Sequence, residues 1–320
     1  MSEAVTMQSS DAPVEATLRE ELAHGDAVIG SIGPVLGHLL ANHDYSLFND
    51  EIVSRVRGMV SDIARQLVEA KARTENASGL GGADNEQRSA VAQALLTESR
   101  LVSHCHALAL EWQLSARLEK RSAIDPVLSP LLQALIASDE GATAATGMAA
   151  LAAQARFVQS QRRMELPIGE LPADLVHQIT ASWADSTEQS GRDAVDRAVE
   201  TIRRSYNEST GRIGLLSRLV TGMGAGARAA LSISHAGAAL FLSALASTTR
   251  CDRDLIVVST NDRQLARLAL SLRAAGLKPR EVEEQFLHLH PDASLPEGFD
   301  LLRADRAAAL LGASGRSSVA

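Results

Sequence analysis

The chain has 320 residues, 45% of them apolar but only 3% aromatic, so any core must be filled by Ala, Leu, Val and Ile, a composition that favours closely packed helices. Its 31 basic and 39 acidic residues are mixed along most of the length and give a formal net charge of −8; that leaves no basic field for a polyanion, and nucleic acid is not expected as a partner. Cys105 and Cys251 are the only cysteines; their wide separation and the lack of a CxxC exclude a disulfide framework and a cysteine zinc module, and a reducing, cytoplasmic setting is expected.

Residues 1–13 are polar and unpatterned and read as a loose tail, and Met1 to Glu15 lacks the basic-then-apolar run of a secretory signal. Helices are expected from Val14, making an N-terminal helical module over 14–73. Its clearest element follows Asn49 and Asp50 as candidate N-caps. Ile52, Val53, Val56, Met59, Val60, Ile63, Leu67 and Val68 recur at three and four residues, with Arg55, Arg57, Asp62 and Arg65 on the wet face. Residues 74–87, with Asn76, Gly79, Gly81, Gly82 and Asp84, read as a flexible joint.

A larger helical domain is expected over 88–291. One long helical pattern runs from about Glu86 to Arg121, with Val91, Leu95, Leu101, Val102, Leu108, Trp112 and Leu118 on its apolar side. Asp125 and Pro126 read as N-cap and first residue of a helix through Leu128, Leu131, Leu132, Leu135 and Ile136. Gly141 to Ala153 is small enough for helices to approach closely, the helix continues towards Glu165, and Pro167 ends it. Pro172 opens another in which Leu175, Val176, Ile179 and Trp183 share a face. Further helices are expected at Ala194–Tyr206, Gly214–Val220, Ala227–Ala246 and Asn261–Ala275.

The most apolar stretch, Ala229 to Ala246, is rich in Ala, Ser and Gly and interrupted by His235, so it reads as a buried helix or helix pair and no membrane span is expected. Asp254 to Ser259 is β-branched and fits a strand, but with no neighbour to pair with, a buried helix is preferred. Residues 292–320 form an extension, loose at its end. The fold class is all-α: stacked helix pairs, arranged as an α-solenoid or a multi-helix bundle.

Two runs carry a resemblance. Ala153-Gln-Ala-Arg-Phe157, leading to Gln161-Arg-Arg-Met-Glu-Leu-Pro167 and Glu170-Leu-Pro172, and later Ser234-His-Ala-Gly-Ala-Ala-Leu-Phe241 with Ala274-Ala-Gly-Leu277, resemble segments of a bacterial family of helical, HEAT-like proteins of unknown function. The resemblance spans residues 90–290. It implies a helical interaction protein and has no catalytic residues to carry over.

Each candidate site competes with a plain reading. His104-Cys105-His106 offers ligand types, but consecutive helical residues point about 100° apart and cannot converge on one ion. His288 and His290 share a face only in a strand. Gly222-Met-Gly-Ala-Gly226 lacks the preceding strand and the lysine of a phosphate loop, and reads as a turn between helices. Gly30-Ser-Ile-Gly33 lacks the frame of a nucleophile elbow. Leu255 to Ala266 is similar to the strand-end motif of PIN and NYN nucleases, where acids such as Asp262 hold a divalent metal, yet no earlier strands exist to bring further acids. No catalytic residue, metal or cofactor is therefore assigned. The basic pairs Arg162-Arg163 and Arg203-Arg204 are candidates for recognising an acidic or phosphorylated partner, and His235 and Phe241 for docking one, as an accessory domain in signal transduction would. The expected function is a non-enzymatic scaffold or regulatory module with a protein partner. The stripe of Ile52 to Val68 is also a candidate for self-association.

Overall fold

The computed structural model describes residues 12–41, 50–75 and 83–314. It is 82% helical, with no strand among the described residues. The first two helices are α1 (Ala12–Ala41) and α2 (Asp50–Thr74). The stripe expected on α2 is its buried face, with Val56, Met59, Val60, Ile63, Leu67 and Val68 all closed to solvent. That face is covered within the chain by α3 (Ala83–Leu96), α4 (Ser99–Ser122) and α8 (Gln189–Ser205), which removes the motive for self-association through it. The tail at 1–11, Asn49, most of the joint and the chain end at 315–320 lie outside the described residues.

The long pattern from Glu86 to Arg121 is two helices. Thr97 and Glu98 turn back onto the carbonyls of Ala94 and Leu95 at 3.1 Å each, and Thr97 Oγ1 takes the Ala94 carbonyl at 2.7 Å. A hydroxyl that competes for backbone carbonyls ends a helix without any glycine or proline. The break frees α4 to become the axis of the molecule, touched by α1, α2 and α3 and by several helices from later in the chain. Accordingly it is buried nearly all round, at Leu101, Val102, Cys105, Ala109, Leu114 and Leu118, and also at His104, His106, Glu111 and Ser115.

Next come α5 (Pro130–Ile136) and α6 (Gly141–Arg162). The helix expected to start at Pro126 starts instead at Pro130. Ser129 caps it, its hydroxyl accepting the Leu132 amide at 3.2 Å, while Asp125 caps only a turn, accepting the amides of Val127 and Leu128 at 2.7 and 2.9 Å. In α6 the small residues Ala150 and Ala153 are wholly buried, as close approach requires. A turn at Arg163 and Met164 and a 3-10 turn at Ile168–Glu170 follow, then α7 (Ala173–Ser186), α8 and α9 (Arg212–Gly222).

A 3-10 turn at Gly224–Leu231 leads into α10 (Ile233–Thr249) at a bend of 115°, so the apolar stretch is a helix pair, and no single helix among the described residues is long and apolar enough to cross a membrane. Inside α10, Gly237 has φ 67 and ψ 169, a conformation essentially confined to glycine. The remaining helices are α11 (Arg253–Ser259), α12 (Leu265–Ala274), α13 (Pro279–Leu289) and α14 (Ala304–Ser314). The β-branched run is helical: Asp252 caps α11 through the amides of Asp254 and Leu255 at 2.8 and 3.2 Å, and Ile256, Val257 and Val258 are buried. Burial of such side chains stabilises by about 1.5–3 kcal/mol each, well above the few tenths that β-branching costs a helix.

The first and last described helices meet. α1 packs on α12 and α14, where Arg306 Nε donates to Glu15 at 2.9 Å, Arg267 pairs with Asp26, and Gln264 Nε2 donates to the Gly25 carbonyl at 2.7 Å. In a solenoid each repeat touches only its neighbours. Here distant elements surround one central helix, so of the two arrangements expected the contacts are those of a bundle.

Candidate functional site

Glu111 sits midway along α4 with no exposed surface. Two arginines reach it from other elements. Arg212, the first residue of α9, donates to Oε1 and Oε2 at 2.7 and 2.9 Å; Arg253, the first of α11, donates to the same oxygens at 2.8 and 2.9 Å. Two forked guanidiniums thus occupy the whole hydrogen-bonding capacity of one carboxylate. Gln154 of α6 accepts from Arg212 at 3.3 Å, Ser243 of α10 from Arg253 at 3.1 Å, and the Arg212 guanidinium lies 3.7 Å from the Phe157 ring centroid. Burial alone pushes the Glu111 carboxyl up, but the two arginines outweigh it and hold the group well below the usual carboxylate range.

Arg212 also borders a cleft of about 540 Å³. Leu108, Phe157, Leu166 and Ile213 give it an apolar floor, and Arg156 and Arg163, both exposed, stand at its rim. One wall is the stretch between α6 and α7. Asp62 Oδ2 accepts the Leu166 amide at 3.0 Å, while Gln66 donates to the Leu166 carbonyl and accepts the Ile168 amide, each at 2.9 Å. Two side chains of α2 thereby satisfy backbone groups at Leu166 and Ile168. Gly58 lets the stretch lie so close: a Cβ there would stand 2.6 Å from Met164 Cβ and 2.9 Å from its carbonyl oxygen. Glu170 Oε2 accepts the Arg212 amide at 2.7 Å and so ties this wall to the start of α9.

Of the residues singled out from sequence, Arg162 and Arg163 are exposed at the end of α6, Arg163 pairing with Glu165 at 2.8 Å. Arg203 and Arg204 are exposed on α8, away from the cleft lining, with Arg204 paired to Glu200 at 2.8 Å. His235 is exposed on α10. Phe241 is wholly buried, so it packs the core and offers no docking surface; from Ala236 to Ala246 α10 is buried on every face. His104 Nδ1 lies 2.6 Å from Asp254 Oδ2, and Cys105 points into the core. Among the described residues, no three His, Cys, Asp or Glu are grouped to hold a metal ion. Asp254 lies in α11 and Asp262 in a 3-10 turn, so the nuclease motif has no strand end to occupy. Gly222 to Gly226 joins α9 to the following turn, and Gly30 to Gly33 lies within α1.

Sequence reasoning missed Glu111, Arg212, Arg253 and Arg156. The one local signal was an acid set among the apolar positions of α4, between Leu108 and Leu114. No protein-family profile matches the chain, and no curated protein or solved structure is significantly similar to it.

Proposed function

We propose that the chain is a non-enzymatic protein-interaction module whose cleft receives a short extended segment of a protein partner, an apolar side chain entering and acidic residues lying against the rim. The observation that carries this reading is the pairing of a preformed apolar floor with exposed Arg156 and Arg163. A volume of 540 Å³ falls within the range of roughly 300–1,000 Å³ typical of ligand sites, and such sites combine an apolar lining with a few placed polar groups. Arg163 is paired with Glu165 and Arg212 is neutralised within the core, whereas Arg156 makes no ion pair among the described residues and is the rim cation open to a partner's acid. Arg supplies planar, bidentate recognition of carboxylates. The class agrees with that implied by the resemblance over residues 90–290, and the two free thiols fit a cytoplasmic setting.

The test is fluorescence anisotropy of the full chain with two labelled peptides, one with a central Leu flanked by Asp and Glu, the other with the same Leu flanked by Lys and Ser. The acidic peptide should bind at least about tenfold more tightly, and the double substitution Arg156→Glu/Arg163→Glu should remove that preference. Equal binding of the two peptides, or a preference that survives the charge reversal, refutes the reading.

A further inference from the structure

From Gly141 to Ala155, α6 carries no charged residue. Gly141, Ala142, Ala145, Met148, Ala149 and Ala152 are exposed at steps of three and four residues, so they form one stripe, with Met148 54% exposed at its middle. A helix face turned to water is normally charged. The exposed side of α8 is, with Asp193, Asp196, Arg197 and Glu200. The inner side of α6 is already used for close packing: Ala150 and Ala153 are buried, and a Cβ at Gly147 would stand 3.0 Å from Ile136 Cγ1. On the outer side a Cβ at Gly141 would meet nothing within 4 Å.

The stripe ends in opposite charges. Glu140, just before the first turn, and Arg156, one turn beyond Ala152, are both exposed, and each lies eight residues from Met148. Glu140 accepts from the Thr143 hydroxyl at 2.8 Å, and neither Glu140 nor Arg156 has an ion-pair partner among the described residues. A face with an acid at one end, a base at the other and its largest apolar side chain midway is complementary to itself turned end for end, which is what a twofold interface requires.

We propose that the outer face of α6 binds a second copy of this chain, the two α6 helices running antiparallel across a twofold axis at Met148. Each Glu140 then comes level with the Arg156 of the other copy, about 12 Å from the axis at 1.5 Å per residue. Small side chains let the helix axes approach to about 8 Å. Alanine gives up no rotamer freedom on burial, and the flexible thioether of Met148 fills the space at the centre. The stripe measures about 20 Å by 10 Å, well short of the roughly 800 Å² per partner of a standard interface. The dimer is therefore weak and reversible, and the net charge of −8 on each copy opposes it. This inference does not rest on the peptide reading, although a second copy and an acidic peptide would contend for Arg156.

The experiment is sedimentation equilibrium of the full chain, without peptide, over rising protein concentration. The mass should climb reversibly from one chain to two. Met148→Arg sets like charges against each other on the axis and should weaken association at least about tenfold. Glu140→Arg and Arg156→Glu each bring like charges together at both ends of the stripe and should each weaken it to a similar degree, about tenfold. Mixed in equal amounts, these two variants face each other with opposite charges at both ends, so they should pair one to one with an affinity within a few-fold of the unaltered chain. A loss of folding in either variant cannot produce that recovery. The mass of one chain at every concentration, a dimer that survives Met148→Arg, or two charge variants that stay apart when mixed would overturn the proposal. A chain that stays monomeric and still prefers the acidic peptide overturns the dimer alone, whereas a dimer indifferent to the peptide's charge overturns the cleft reading alone.

Discussion

Replacing Glu111 by Gln tests the physical core of the structure, because it changes one charge and almost no volume. The carboxylate has no exposed surface, and the side chains of Arg212 and Arg253 are 3% and 11% exposed. Removing it leaves two guanidiniums buried beside one another with a single amide oxygen between them. Breaking a buried pair by deleting one partner costs about 3–5 kcal/mol, and here two cations lose their counter-charge, which places the loss at the upper end of that range. Against a total stability of about 5–15 kcal/mol, this is a large shift, and urea unfolding should show it as a lower midpoint at an unchanged slope. The cycle of Glu111→Gln, Arg212→Gln and the pair together gives a second reading. The double variant should be less destabilised than the sum of the singles, because each single strands the charge that the other removes. A loss below about 1 kcal/mol, the level of an exposed ion pair, or strict additivity in the cycle, would show that the network is solvated and the arrangement of α4, α9 and α11 wrong.

Acid should destabilise the chain, and the deeply buried His106 and Glu111 are the main groups through which it acts. Burial lowers His106 to about 4 from 6.5, so the unfolded chain binds the extra proton between those values; the His106 contribution is complete above pH 6.5 and is lost as pH falls towards 4, about 3 kcal/mol in all. His106→Leu should flatten the stability profile over that window, and an unchanged slope counts against the burial. Glu111, held below its ordinary 4.5, adds a loss that begins only under that value. Thiol labelling should modify Cys251, which is half-buried, in the native protein, while Cys105, buried and with its thiol pushed up by burial, waits for unfolding; two fast thiols would contradict the position of α4. Gly58→Ala should cost about 1–3 kcal/mol by overpacking against Met164 and speed tryptic cleavage after Arg162 and Arg163, whereas unaltered cleavage would mean that the wall of the cleft does not lean on α2.

What the sequence made legible was whatever repeats at helical spacing. The stripe of Ile52 to Val68 identifies the buried face of α2 from its own residues, but Arg55 and Asp62, expected on the wet face, are buried where they hydrogen-bond the backbone of Gln161 and Leu166. Where two signals of equal quality stand four residues apart, local reasoning fails: Asp125-Pro126 and Ser129-Pro130 are both cap-and-proline pairs, and only the packing of Leu131 and Leu132 against the core selects the second. The break at Thr97 carried no glycine or proline to mark it. His235 and Phe241, offered together as a docking pair, part company because the helix is enclosed on all sides from Ala236 onward, which leaves His235 outside and Phe241 in the core. The ion-pair network was hidden for a simpler reason: its partners lie 101 and 142 residues from Glu111, and no local pattern in one chain records such a pairing.

The hidden network also sets the cleft. Glu111 fixes the guanidinium of Arg212, and that guanidinium lies against the Phe157 ring of the cleft floor, while the Arg212 amide fixes Glu170 in the opposite wall. One residue therefore joins the core charge to both the floor and the wall, and the floor is held by a desolvated carboxylate that solvent salt screens weakly. The rim arginines are exposed and open to screening. Binding of an acidic segment should accordingly weaken with added salt while the fold and the cleft persist, because the charges that attract the partner and the charges that shape its seat occupy different dielectric environments.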